Sequence, residues 1–170
     1  AEVRDLLTKF DSALTDKQIM YVNLHPLVKD KVPIEGYKHI VKFPDDVDSY
    51  SFLNAVDVLI TDYSSVFFDF SITRKPIVLF MYDYDAYMAE RGMYMDVRDL
   101  PFRKIYTMNE MLAYLHENDK QADVNSAAYD AYYKMFTNYD APDNIQNLND
   151  MLFYGKAPKF EAVSYTHLTL

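Results

Sequence analysis

The sequence predicts an α/β domain built on a parallel sheet flanked by helices, and three observations carry that reading. The stretch from Asp57 to Phe80 reads as strand, turn, helix and strand within about 24 residues, a βαβ unit that forces a parallel pair. Its two strands are near-continuous Val/Ile/Leu runs rather than alternating ones, as strands covered on both faces are. A further apolar run, Gln18 to Leu24, stops at His25-Pro26, because a residue before proline is pushed out of the helical region and the chain must turn.

In chain order, Val3, Leu6, Leu7, Phe10 and Leu14 recur at helical spacing, so residues 1–14 form an amphipathic helix. Gln18–Leu24 is a strand, followed by a loop through Lys31, Pro33 and Gly36. His39–Phe43 is the next strand, and Asp48–Val56 is a helix with Asp48 or Ser49 as its N-cap. Asp57–Thr61 is a buried strand, Asp62-Tyr63-Ser64-Ser65 a polar break, Val66–Ile72 a helix and Pro76–Phe80 a second buried strand. The tyrosine-rich acidic segment 81–101 has a turn or helix end at Arg91-Gly92, and Met93–Asp96 fits a short strand. Three helices close the domain: Asn109–His116, capped by Asn109; Asp123–Phe136, with Ala127, Ala128, Tyr132 and Phe136 inward; and Asp143–Phe153. The domain is therefore drawn over 1–153 and a tail over 154–170. Ser164–Leu170 follows no period of the domain and reads as translated cloning sequence.

A chain of 170 residues suits one domain with a real core. Only 3 glycines are present, and neither a G-x-G-x-x-G nor a P-loop can be drawn from them. With 0 cysteines, disulfides and thiolate metal sites are excluded. A net charge of −9 argues against nucleic acid and against broad binding to anionic lipid. A phosphate ligand would need locally placed cations or helix ends. No run of about 18 apolar residues reads as a membrane span. Ala1 shows no signal peptide and is not an initiator methionine, so the chain reads as a piece of a longer protein.

Open α/β sheets bind ligands at the carboxyl ends of their strands. The Asp62–Ser65 turn sits at such an end and opens a helix, whose first N–H groups lack internal partners and carry partial positive charge. Ser64 and Ser65 can cap that helix, or donate their hydroxyls to a phosphate resting on the same N–H groups. His25 falls at the end of another predicted parallel strand, expected on the same edge of one sheet. His39 and His116 read as structural or solvent-exposed. Asp57 and Asp62 lie at opposite ends of one strand, so with Asp69 they do not converge on a metal.

Asn23-Leu24-His25-Pro26-Leu27, the block from Asp57 to Phe70, Lys75-Pro76-Ile77, Glu90-Arg91-Gly92 and Asp99-Leu100-Pro101 occur in this order. Together they resemble the CDP-glycerol glycerophosphotransferase family of teichoic acid synthesis, strongly over 20–101 and weakly on to 153. The T-D-Y-S-S-x-x-x-D block with an upstream H-P is specific; either alone is not. The resemblance implies two Rossmann-like domains of the GT-B type with the site between them, this chain being the carboxyl-terminal, nucleotide-binding half. It implies transfer of glycerol phosphate from CDP-glycerol to a hydroxyl of a lipid-linked teichoic acid polymer or primer. The place implied is cytoplasmic, peripheral to the inner face of the bacterial plasma membrane through the missing amino-terminal half, and no tightly held metal or other cofactor is implied.

Residue by residue, the resemblance makes His25 the catalytic histidine near the donor pyrophosphate, and Asp62, Tyr63, Ser64 and Ser65 its cradle. Asp69 matches an acidic residue that holds ribose or glycerol hydroxyls or orients a neighbour, and Arg91 matches a basic residue near the donor. Each residue also has a plainer reading: a helix cap, a satisfied strand-end imidazole, a solvated carboxylate, a surface arginine. The family's D-G-x-[AS]-S/T-x-R-like segment before its last helix is matched only by Asp140-Ala141-Pro142-Asp143-Asn144-Ile145, without the glycine or the basic residue. No residue here matches the family's proposed base, which lies in the other half. Two further readings share the composition: a GT-B transferase using CDP-ribitol or a nucleotide-sugar, and a non-catalytic α/β interaction domain.

Overall fold

The computed structural model of the chain describes residues 2–24, 32–93, 95–137 and 143–156. Its elements run α1 (Glu2–Ala13), β1 (Met20–Val22), β2 (Ile40–Lys42), α2 (Ser49–Leu53), β3 (Leu59–Thr61), α3 (Val66–Ser71), β4 (Ile77–Phe80), α4 (Tyr84–Glu90), β5 (Arg103–Ile105), α5 (Met108–Leu115), α6 (Ala127–Phe136) and α7 (Asn144–Tyr154). All described strand pairs are parallel. β4 lies between β3 and β5, with Leu59 beside Ile77 and Val78 beside Arg103.

β4 is buried along its whole length, and strand alternation sends its side chains into two cores. Ile77, Leu79 and, just beyond the strand, Met81 join Phe67 and Phe70 of α3, Phe102, and Tyr129 and Tyr132 of α6. Val78 and Phe80 point the other way, to Leu7, Phe10 and Leu14 at the α1 end, Ile105, and Met111, Tyr114 and Leu115 of α5. This is the two-faced burial that the Pro76–Phe80 run implies, whereas β3 is only half-buried along Leu59–Thr61, a correction to the buried strand read over 57–61.

The single sheet expected to carry both strand tips is corrected. β1 and β2 form their own ladder, and among the described residues it shares no hydrogen bonds with β3–β4–β5. The two ladders meet only through side chains, Met20 and Val22 packing on the same cluster as Val58 and Ile60. β1 is shorter than 18–24 because Gln18 is used elsewhere: its amide donates to the Leu115 carbonyl at 2.8 Å and its carbonyl accepts from Thr15. β2 is tied to α1 instead, through the Lys38 and His39 N–H groups bonded to the Asp11 carboxylate.

The helix starts follow their caps. Asp48 caps α2, accepting from Ser51 N at 2.8 Å. α5 is capped by Thr107 rather than Asn109, in a reciprocal box with Glu110. α6 begins at 127 because Ser126 accepts from the Tyr129 N–H, leaving 121–123 as a separate 3₁₀ turn. That register buries Tyr129 and Tyr132 and leaves Ala127, Ala128 and Phe136 exposed, a correction to the inward face drawn from spacing. β5 has no counterpart in the sequence reading, because Arg-Lys-Ile has no strand pattern of its own. Arg103 is held on it by Asp123 and Glu117. The described part of 93–96 forms no strand. The 164–170 tail and the 140–142 segment lie outside the described residues.

Replacing Leu79, fully buried at the centre of β4, with alanine is expected to cost about 2–5 kcal/mol of folding stability. Urea denaturation measures it; a loss below about 1 kcal/mol would mean that the strand is not enclosed as described.

Candidate functional site

The described part of the site grows from one turn and one stack of rings. β3 ends at Thr61, and Asp62 closes the turn on itself by accepting the Ser64 N–H at 3.1 Å. Ser65 then sits at the N-cap of α3 in helical geometry (φ −62°, ψ −8°) and makes no side-chain cap bond. Both serines are exposed, and among the described residues neither hydroxyl has a protein partner. The capping role open to them in the sequence is therefore not used here, and their hydroxyls remain available at the start of a helix.

Tyr63 fixes the turn to the next loop. Its hydroxyl donates to Asp83 Oδ1 at 2.9 Å, and its ring stacks on Tyr87 of α4 with centroids 3.9 Å apart and planes 25° apart. Burial, then the bond to Asp83, pushes the Tyr63 hydroxyl well above the usual phenol range, so it stays a donor. Arg91, the C-cap of α4, lies with its guanidinium 6.0 Å from the Tyr87 ring centroid. Gly92 follows with φ 67°, the left-handed conformation that ends helices, as the turn reading of Arg91-Gly92 expects. The chain Tyr63–Tyr87–Arg91 thus links the expected basic residue to the expected turn.

Asp69 is exposed on α3, four residues beyond Ser65 and so on the same helical face. No hydrogen bond holds it to the turn among the described residues. His25 and the loop from 25 to 31 lie outside the described residues, so its position relative to the turn is not part of this geometry.

Sequence reasoning missed the loop after β4. An open pocket of about 500 Å³ lies there, at the carboxyl ends of β4 and β5, lined by Met81, Tyr82, Asp83, Tyr84, Asp85 and Ala86 on one side and by Arg98 and Tyr106. The rule that drew attention to the end of β3 applies equally to β4, and would have found Asp83 and Asp85. One wall is braced by a second network: the Tyr84 hydroxyl donates to Asp96 at 3.0 Å, and Arg98 grips the same carboxylate through Nε and Nη2 while its guanidinium lies 4.7 Å from the Tyr84 ring centroid. Another pocket, of about 340 Å³ between Asp57, Lys75, Pro76 and Lys120, lies at the amino ends of β3 and β4, away from the turn.

Comparison with known proteins adds the relatives. A family model described as CDP-glycerol:poly(glycerophosphate) glycerophosphotransferase matches residues 4–154. The teichoic acid glycerol-phosphate primase of Bacillus subtilis is 30% identical over 138 residues, 79% of this chain and 34% of that protein. The teichoic acid poly(glycerol phosphate) polymerase of Staphylococcus epidermidis is 34% identical over 146 residues, 82% of this chain and 20% of that protein. A solved structure of the wall teichoic acid polymerase TagF, a variant soaked with CDPG, superposes with a TM-score of 0.70 at 27% identity, covering 88% of this chain and 36% of that one. The chain spans 34% and 20% of the lengths of the two curated relatives, about a third of one and a fifth of the other.

Bonds from the Arg98 side chain, then from its backbone N–H and from Tyr84, hold the Asp96 carboxyl well below its ordinary value of 3.8. A carboxylate depressed by folding stabilises the fold above its unfolded value, and that contribution fades as pH falls through the folded one. The melting-temperature gap between wild type and Asp96→Asn is therefore expected to be widest near neutral pH and to narrow progressively as pH falls below about 4. A gap that stays constant into acid would show that the ionised pair is not what holds this wall.

Proposed function

This chain belongs to the CDP-glycerol:poly(glycerophosphate) glycerophosphotransferase family, and we propose that it supplies the donor-binding half of an enzyme that moves glycerol phosphate from CDP-glycerol to a hydroxyl of a lipid-linked teichoic acid polymer or primer. The observation that carries the reading is the serine pair: two exposed hydroxyls with no protein partner among the described residues, at the carboxyl end of a parallel strand and the start of α3. The rest of the enzyme, in this reading a second Rossmann-like half completing a GT-B pair, brings the acceptor and the base, and holds the enzyme at the inner face of the membrane. Among the described residues no helix is long and apolar enough to cross a membrane.

The chemistry asks for charge stabilisation more than for covalent catalysis. The acceptor oxygen bonds to the phosphorus that carries glycerol, the bridging P–O bond breaks, and CMP leaves with the bridging oxygen. Ser64 and Ser65 donate hydroxyls to the pyrophosphate, with the N–H groups of the helix start beside them. Arg91, positioned by Tyr87, approaches the same anion, and His25 donates a hydrogen bond or a proton to the leaving phosphate. Each charge-assisted hydrogen bond of this kind stabilises by about 1.5–3 kcal/mol. Asp69, on the same face as Ser65, holds ribose or glycerol hydroxyls.

Calorimetric titration of the chain with CDP-glycerol, CDP-ribitol, a UDP-sugar and glycerol phosphate tests this. CDP-glycerol is expected to bind more tightly than the UDP-sugar and more tightly than glycerol phosphate without its nucleotide. Equal, negligible affinity for all four would overturn the reading in favour of a non-catalytic interaction domain. In the longer enzyme, His25→Ala is expected to cut turnover by about 100-fold or more while leaving the melting temperature unchanged. A variant that unfolds, yet keeps the specific activity of its folded fraction, would make the imidazole structural.

A further inference from the structure

We infer that the pocket after β4 receives the polyol end of the donor, with Asp85 and the second carboxylate oxygen of Asp83 accepting hydrogen bonds from its free hydroxyls; this rests on the donor reading above. The pocket is joined to the serine turn through one residue. Tyr63 reaches from the turn to Asp83, a wall residue, at 2.9 Å, and its ring centroid is 6.3 Å from that of Tyr84, another wall residue. A pyrophosphate on Ser64 and Ser65 therefore has this pocket as a neighbouring space for one of its two substituents.

The lining selects which substituent. Ionised carboxylates are acceptors only, so they suit hydroxyl groups and repel phosphate. Among the described residues the one cation on the wall is Arg98, and it is already bonded to Asp96 through Nε and Nη2. Asp83 uses only Oδ1 for Tyr63, and among the described residues Asp85 has no side-chain partner. Asp85 is exposed in the first turn of α4, where an aspartate has no structural duty beyond favouring the helix start. Tyr82 and Tyr106, both substantially exposed at 60% and 41%, offer ring surface to the carbon chain between the hydroxyls. A volume of about 500 Å³ accommodates a short polyol with its hydration. The assignment makes Asp85 a specificity-determining residue for the transferred group rather than for the nucleotide.

Two ligands of equal charge separate this from electrostatics in general: CDP-glycerol, and the propyl diester of CDP, which lacks the two free hydroxyls. Calorimetry on the whole chain measures both, for wild type and for Asp85→Ala, with thermal melting as the check on folding. Wild type is expected to prefer CDP-glycerol, and Asp85→Ala to reduce that preference about tenfold, the loss of one charge-assisted hydrogen bond, while the propyl analogue keeps its affinity. Tyr106→Ala supplies a second readout if Asp85→Ala does not fold: it is expected to weaken both ligands, since it removes the carbon-chain wall, and unchanged binding of both overturns the assignment. An unchanged preference in Asp85→Ala, or an equal loss for both ligands, overturns the polyol assignment and leaves the donor reading intact. No binding of either ligand to wild type overturns the donor reading, and this inference with it.

Discussion

The enclosure of β4 is the constraint on which the rest of this structure depends. A four-residue strand buried along its length must find a hydrophobic partner on each face. It finds α3 and α6 on one side and α1 and α5 on the other. Each fully buried aliphatic side chain in such a strand contributes about 1.5–3 kcal/mol relative to exposure. The strand also carries ladder bonds to both neighbours, so its carbonyls and N–H groups are satisfied inside the core. With β4 held in this way, the loops at its carboxyl end and at that of β3 emerge side by side. The turn at Asp62–Ser65 and the loop at Tyr82–Asp85 can then be bridged by a single tyrosine.

That bridge explains how a site can be ordered on short elements. α3 has six residues and α4 seven, too short to be stable by propensity alone. Their order comes from packing: Phe67 and Phe70 anchor α3 in the core, and Tyr84 anchors α4. Tyr63, between them, is stacked on Tyr87 and bonded to Asp83, so the serine turn is braced by rings and a carboxylate rather than by glycine. The scarcity of glycine then has a physical meaning. Where a glycine-rich loop wraps an anion with backbone N–H groups, this turn presents side-chain hydroxyls beside a helix start.

The charge pattern divides the carboxyl edge into two environments. The serine turn has hydroxyls, a helix start and, through Tyr87, the Arg91 guanidinium nearby. The pocket after β4 has two carboxylates and an arginine already committed to Asp96. The two environments are adjacent but chemically different, one rich in donors and the other in acceptors. In a chain of net charge −9, the proposed phosphate-bearing donor would need such local sorting.

Period and punctuation are local properties, so the sequence by itself determined the βαβ unit of 57–80, the amphipathic face of α1, the Asp48 cap, the helical end at Arg91-Gly92, and the serine turn as the place to look. Tertiary structure decided whatever needed a partner far along the chain. β5 exists because Arg103 is paired with Asp123 and its neighbours dock on β4, not because Arg-Lys-Ile favours a strand. Gln18 leaves β1 because a carbonyl at Leu115, remote in sequence, takes its amide. The inward face of α6 is set by Tyr129 and Tyr132 reaching Ser71, bonds across roughly sixty residues that no helical spacing encodes. The pocket belongs to the same class: Tyr63, Asp83, Tyr84, Asp96 and Arg98 are ordinary residues in separate segments, and only the burial of β4 brings them within hydrogen-bond distance.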